Sequence, residues 1–128
     1  MEKTLHIAII LDGNRRYEEA RALPKGMGHL HGAKTVERIL EAALELGIPY
    51  LTVWGLSNQN LRGRSKEELE ILYRIFEEYF QKLGESEVVH QNQVHVRVVG
   101  SWRDSFPSSV AKTIDTAVER TKHYKQHT

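Results

Sequence analysis

Apolar positions along the chain follow two rhythms. Residues 6–11, His-Ile-Ala-Ile-Ile-Leu, form a compact run with the length and β-branched content of a buried strand, and the run stops at Asp12-Gly13-Asn14, a turn signal. After a polar, cationic stretch, Ala33, Val36, Ile39, Leu40, Ala43 and Leu46 recur at helical spacing, which predicts a helix over 32–46 with Gly47 as its left-handed cap. A second strand is predicted over 50–54, just after Pro49, followed by a polar, amide-rich loop over 55–64. Ser65 with Glu68 three residues on reads as a capping box; it opens a helix with Leu69, Leu72, Phe76, Phe80 and Leu83 on one face. Val94, Val96 and Val98 alternate with His95 and Arg97, predicting a half-buried strand that ends at Gly100. Residues 107–124 form the last predicted helix, with Pro107 near its first turn.

Strand and helix thus alternate three times, and each crossover is long enough for a βαβ unit. The fold class is α/β, a parallel sheet with crossover helices. Three βα units make a thin sheet, so the chain is expected to belong to a larger sheet or to need a partner that completes it. Length agrees with one domain over 1–128, too short for two. The 18 Lys and Arg stand against 17 Asp and Glu, a balance that argues against a nucleic-acid module held by bulk charge. Without cysteine there is no disulfide framework and no thiolate metal site. The longest aliphatic run is far below the roughly 18–20 residues of a membrane span. Met1-Glu2-Lys3-Thr4 lacks the features of a signal peptide, so a soluble cytoplasmic protein is expected.

In open α/β sheets ligands gather beyond the carboxyl ends of the strands. That rule selects the segments over 12–31, 55–64 and 100–105. The first is the richest. Asp12 places a carboxylate directly after a strand, and Gly13 and Asn14 let the backbone turn its N–H groups toward an anion. Arg15, Arg16, Arg21, Lys25 and His29 add donors suited to phosphate oxygens. One carboxylate beside so many cations is the composition of a site for a polyphosphate with a divalent metal, although an Asp-Gly-Asn after a strand is also an ordinary turn. The second segment offers Ser57, three amides (Asn58, Gln59, Asn60) and the guanidinium groups of Arg62 and Arg64. In the third, Trp102 either packs on the sheet edge or walls a site. The apolar stripe of Leu69, Leu72, Phe76 and Phe80 reads as core, or in part as the wall of a cavity for a long apolar tail.

These residues also carry a resemblance. Residues 6–17, from His6 through Asp12-Gly13-Asn14-Arg15-Arg16-Tyr17, resemble the opening signature of the cis-prenyltransferases, the undecaprenyl and dehydrodolichyl diphosphate synthases. The match continues through Gly28-His29, Gly32-Ala33-Lys34 and 42–46. It resumes at Leu51-Thr52 and at 57–60, where the family has Ser-Thr-Glu-Asn-Trp; residues 94–100 resemble the family's next strand. The resemblance implies Mg²⁺-dependent elongation of an allylic prenyl diphosphate by isopentenyl diphosphate, with a new cis double bond. It implies catalytic roles for Asp12, on the metal and the departing diphosphate, and for Asn60. Gly13, Asn14, Arg15 and Arg16 would cradle that diphosphate, with Lys25 and His29. Ser57 and Asn60 would align isopentenyl diphosphate or help its proton leave, and Arg64 would bind near its phosphates. Tyr17, Asn58, Gln59 and Leu61 fall in the matched segments as substrate-binding positions. Leu69, Leu72 and Phe76 would line a tunnel for the growing tail.

Departures from the pattern matter as much. Lys25 stands where many members have Arg, Gln59 replaces the usual Glu, Leu61 replaces an aromatic residue, and the stretch through Arg62-Gly63-Arg64-Ser65 is one residue longer. Family members run to nearly twice this length, and their second-half Arg- and Glu-rich motif has no counterpart over 100–128. Residues 122–128 end about where the next family strand should begin. The expectation is an amino-terminal half that supplies the allylic diphosphate site, paired with a carboxyl-terminal half or working as a homodimer, and touching membrane only through a greasy product. The alternative is a non-catalytic diphosphate-binding or partner subunit on the same fold. An unrelated phosphotransferase with Asp12 as nucleophile is disfavoured, because Asn14 stands where that chemistry wants a second carboxylate.

Overall fold

Two five-residue strands, β1 (His6–Ile10) and β2 (Tyr50–Trp54), pair in parallel, His6 opposite Tyr50 through Ile10 opposite Trp54. They belong to a computed structural model that describes residues 4–128. Met1, Glu2 and Lys3, on which the reading of the amino-terminus partly rests, lie outside the described residues. Between the strands run α1 (Asn14–Ala20) and α2 (Met27–Glu45). The long helix stops at Leu46, and Gly47 follows at φ 67°, the left-handed cap read from the sequence. The parallel α/β arrangement is therefore the one expected. Two boundaries differ. The stretch read as polar and irregular contains α1, which has no apolar stripe for periodicity to register. Helix α2 starts five residues early because the Glu18 carboxylate accepts from the N–H groups of Gly26 (2.8 Å) and Gly28 (2.9 Å), satisfying open donors at its first turn.

After β2 the chain forms α3 (Asn58–Gly63), α4 (Lys66–Glu85), α5 (Glu87–Gln91), α6 (Trp102–Ser105) and α7 (Ser108–Thr121). Helix α3 corrects the predicted loop: Ser57 and Asn60 cap it reciprocally, a box built from an amide rather than a carboxylate. At α4 the Ser65 hydroxyl accepts from the Glu68 N–H as expected, but the Glu68 carboxylate turns into the protein instead of back to the cap. Helices α4 and α7 pack lengthwise. Trp102, Val110 and Ile114 form the buried cluster between them, with Phe76, Phe80 and Phe106 against it. Trp102 is thus core, its indole N–H donating to the Val98 carbonyl at 3.4 Å.

The third predicted strand is the main correction. Val94 makes one parallel bridge, to His127, and residues 95–98 are not in a strand. The position beside β2 is taken by the last residues. The Thr128 N–H donates to Pro49 O and the Leu51 N–H to Thr128 O, both at 2.9 Å, while the His95 N–H donates to His127 O at 2.7 Å. Residues 127–128 thus wedge between β2 and the Val94 segment. The Val94 segment therefore meets His127 and not β2, and its own pairing is a single bridge. Strand β1 also departs from the fully buried reading: exposure alternates, with Ile10 76% exposed and Trp54 beside it 57%.

Candidate active site

The carboxyl end of β1 leads through Leu11 and Asp12 to Gly13, which takes φ 90° at the entry to α1, a conformation that glycine adopts without strain. Helix α1 then lies close on α2. A Cβ at Gly28 would collide with the Asn14 carbonyl, and one at Gly32 would come within 2.6 Å of the Asn14 side chain. The two glycines, one helical turn apart, make the notch that seats Asn14 and aims the turn. Asp12 stays exposed, and Arg16 donates to its carboxylate at 3.0 Å.

A cleft of about 390 Å³ opens at this turn. Asp12, Gly13, Asn14, Arg15 and Arg16 form its rim, His29 and Arg64 stand deeper, and Leu72, Ile75 and Phe76 of α4 wall its apolar side. The stripe on α4 divides: Phe76 packs on the core cluster and, with Leu72, lines the cleft, whereas Leu69 does not line it.

Below the rim lies a buried ionic cluster. His29 is 8% exposed and Glu68 6%. The Glu68 Oε1 accepts from His29 Nε2 and from Arg64 Nη1, each at 2.9 Å, and Arg15 Nε lies 3.8 Å away. His29 Nε2 and Arg64 Nη1 are themselves 3.0 Å apart because two donors converge on one oxygen. Burial pushes the Glu68 carboxyl upward, but the His29 hydrogen bond and the charges of Arg64 and Arg15 outweigh it and hold the group below its ordinary value.

Other sequence-selected residues lie apart. Lys25 Nζ donates to Glu67 (3.1 Å) and Ser65 (3.3 Å) at the start of α4. Tyr17 pairs with His31 at 3.2 Å beneath the Arg21 guanidinium. Ser57 and Asn60 are joined in the α3 cap, and neither they nor Asn58, Gln59 and Leu61 line the cleft. No group of three or more His, Asp or Glu among the described residues is placed to hold a metal by protein ligands alone. The two exposed carboxylates that line the cleft, Asp12 and Glu19, are too few to enclose a cation by themselves and fit instead a Mg²⁺ shared with phosphate oxygens and water.

Residues 10–128 match the family model described as "Putative undecaprenyl diphosphate synthase". The chain belongs to this family. Among relatives of the undecaprenyl diphosphate synthase family, the tritrans,polycis-undecaprenyl-diphosphate synthase (geranylgeranyl-diphosphate specific) of Thermococcus kodakarensis is 43% identical over 122 residues, 95% of this chain and 46% of that protein. The isoprenyl transferase of Shouchella clausii is 40% identical over 118 residues, covering 92% of this chain and 44% of its own. Among solved structures, lavandulyl diphosphate synthase from Lavandula x intermedia, in complex with dimethylallyl diphosphate, superposes with a TM-score of 0.86 at 31% identity, over 95% of this chain and 51% of that one. The chain spans about half the length of the relatives it matches. Against this family frame, sequence reasoning assigned Glu68 only to a helix cap. The signal it passed over was a carboxylate only four residues after Arg64, close enough for the two side chains to meet across the junction of α3 and α4.

Proposed function

We propose that the chain forms the allylic diphosphate site of a cis-prenyl diphosphate synthase. In the reaction the allylic C–O bond to diphosphate breaks and the double bond of isopentenyl diphosphate attacks the allylic carbon. A proton then leaves to give the cis double bond. The observation that carries this reading is the two-sided cleft: the Asp12 and Glu19 carboxylates with the Arg15 and Arg16 guanidinium groups on its polar side, and an apolar wall of Leu72, Ile75 and Phe76 on the other. A prenyl diphosphate is amphiphilic in the same sense. The complex of the lavandulyl diphosphate synthase with dimethylallyl diphosphate supports an allylic diphosphate as the ligand class.

Asp12 would hold Mg²⁺ together with the diphosphate. Bound there, the cation neutralises charge that develops on the departing diphosphate. Gly13, Asn14, Arg15 and Arg16 cradle that group, and His29 stands below it, fixed by Glu68. Preorganised donors of this kind stabilise a leaving anion without reorganising. Lys25, held at Glu67 and Ser65 outside the cleft, would have to leave those partners to reach the diphosphate. Ser57 and Asn60, with Asn58, Gln59 and Leu61, orient isopentenyl diphosphate from the start of α3, and Arg64 meets its phosphates. The complete enzyme includes a carboxyl-terminal half, works in the cytoplasm as a homodimer or paired halves, and touches membrane through its product.

The test uses the protein at its full encoded length, with dimethylallyl or a longer allylic diphosphate, labelled isopentenyl diphosphate and Mg²⁺. The expected result is a labelled cis-prenyl product, and a loss of roughly 10²–10³ in rate for Asp12→Ala with unchanged thermal stability. Diphosphate binding without turnover would favour the non-catalytic partner reading, and no binding would overturn the site altogether.

A further inference from the structure

Glu68 has no part in the function proposed above, yet it is the acid around which the cleft's cations gather. Its N–H is fixed by Ser65 Oγ at 3.2 Å, which sets the first turn of α4. Its carboxylate gathers donors from three separate segments: Arg15 of α1, His29 of α2 and Arg64 just after α3. The geometry points to Glu68 as the positioning residue of the cleft, the group that presets Arg64 and His29 for a diphosphate. This rests on the cleft being a diphosphate site.

The physical case is preorganisation. An arginine side chain loses considerable rotamer freedom when it binds, and a buried carboxylate removes that freedom before the ligand arrives. Glu68 engages one Arg64 nitrogen, Nη1, at 2.9 Å. A guanidinium carries five N–H donors, so the Nε and Nη2 donors remain for phosphate oxygens. The His29 contact fixes a ring rather than a fork: Nε2 meets the Glu68 carboxylate at 2.9 Å, which holds the imidazole in one orientation beside Arg64. Coulomb's law alone gives the opposite expectation, since a carboxylate beside an anion site should weaken binding. The sign of the effect therefore separates positioning from plain electrostatics.

The experiment titrates inorganic pyrophosphate with Mg²⁺ into the full-length protein and its Glu68→Gln variant, which keeps shape and an acceptor but removes the charge. Positioning predicts binding weakened about tenfold, the scale seen for outer-shell partners of metal ligands. It also predicts that Arg64→Ala adds little further loss in the Glu68→Gln background, because the two act through one contact. Unchanged or tighter binding by Glu68→Gln overturns the inference while leaving the diphosphate site standing. Absence of pyrophosphate binding by the unaltered protein overturns the site and the inference with it. Should Glu68→Gln fail to fold, NMR of the unaltered protein decides: slow rotation of the Arg64 guanidinium supports positioning, and free rotation refutes it.

Discussion

The layer between α4 and α7 and the outer face of the β1–β2 pair are made from the same kinds of residue and reach opposite states. Ile114, Val110 and Ala117 are at most 2% exposed, while Ile10 and Trp54 stand 76% and 57% exposed. The difference is the presence of a second layer. Helix α7 closes over α4 so tightly that a Cβ on Gly84 would sit 3.3 Å from the Ala117 Cα. Nothing among the described residues covers the even-numbered side chains of β1. Parallel strands are ordinarily covered on both faces, so an apolar strand face marks where a layer belongs rather than where one is. The candidate cleft lies between these two regions. It takes its apolar wall from the finished side and its rim from the unfinished one.

The sharpest way to break the comparison is paired truncation. Ile114→Ala should destabilise the chain by about 2–5 kcal/mol, and Ile10→Ala by no more than about 0.5 kcal/mol, in denaturant melts of the 128-residue chain. Equal losses would mean that the sheet face is covered after all. A smaller contrast comes from glycines. Gly28→Ala forces α1 off α2 at Asn14 and should cost about 1–3 kcal/mol together with pyrophosphate affinity. Gly63→Ala meets no atom within 4 Å and should stabilise α3 by roughly 0.5–1 kcal/mol. Smaller still is the acid response of the ionic cluster. Because the folded Glu68 pKa lies below its ordinary 4.5, the stability it contributes is fully present above that value and fades as pH falls through the folded pKa. Glu68→Gln should therefore flatten the acid limb of a stability–pH curve. The least effect is expected at Val99, 87% exposed, where Val99→Thr should shift the melt by no more than about 0.5 kcal/mol.

Elements with long apolar periodicity were legible in the sequence: the two strands, the body of α2, α4 and α7. Those without it were not. Helices α1 and α3 are too short and polar to show a stripe, and α3 is set by the Ser57–Asn60 cap, which reads as loop composition. Val94, Val96 and Val98 alternate as a strand should, but pairing depends on a neighbour, and the space beside β2 holds residues 127–128. For the cleft, the Asp12–Arg16 cluster at a strand end was legible from the rule that places ligands there. Glu68 was not, because its cap spacing offered a complete local explanation. Only the fold shows that its N–H serves the cap while its carboxylate meets Arg64 nearby and two distant cations, Arg15 and His29.

Glu18 carries one more consequence. The amino-terminus of a 19-residue helix is a strong anion trap, and α2 begins beside the cleft with His29 on its first turn. Two of its open N–H groups are already bonded to the Glu18 carboxylate. An anion approaching this side of the molecule therefore finds that berth filled, and the pull of the helix offers no second resting place to compete with the rim around Asp12. For the diphosphate site proposed above, this closes a decoy without adding any attraction to the ligand itself.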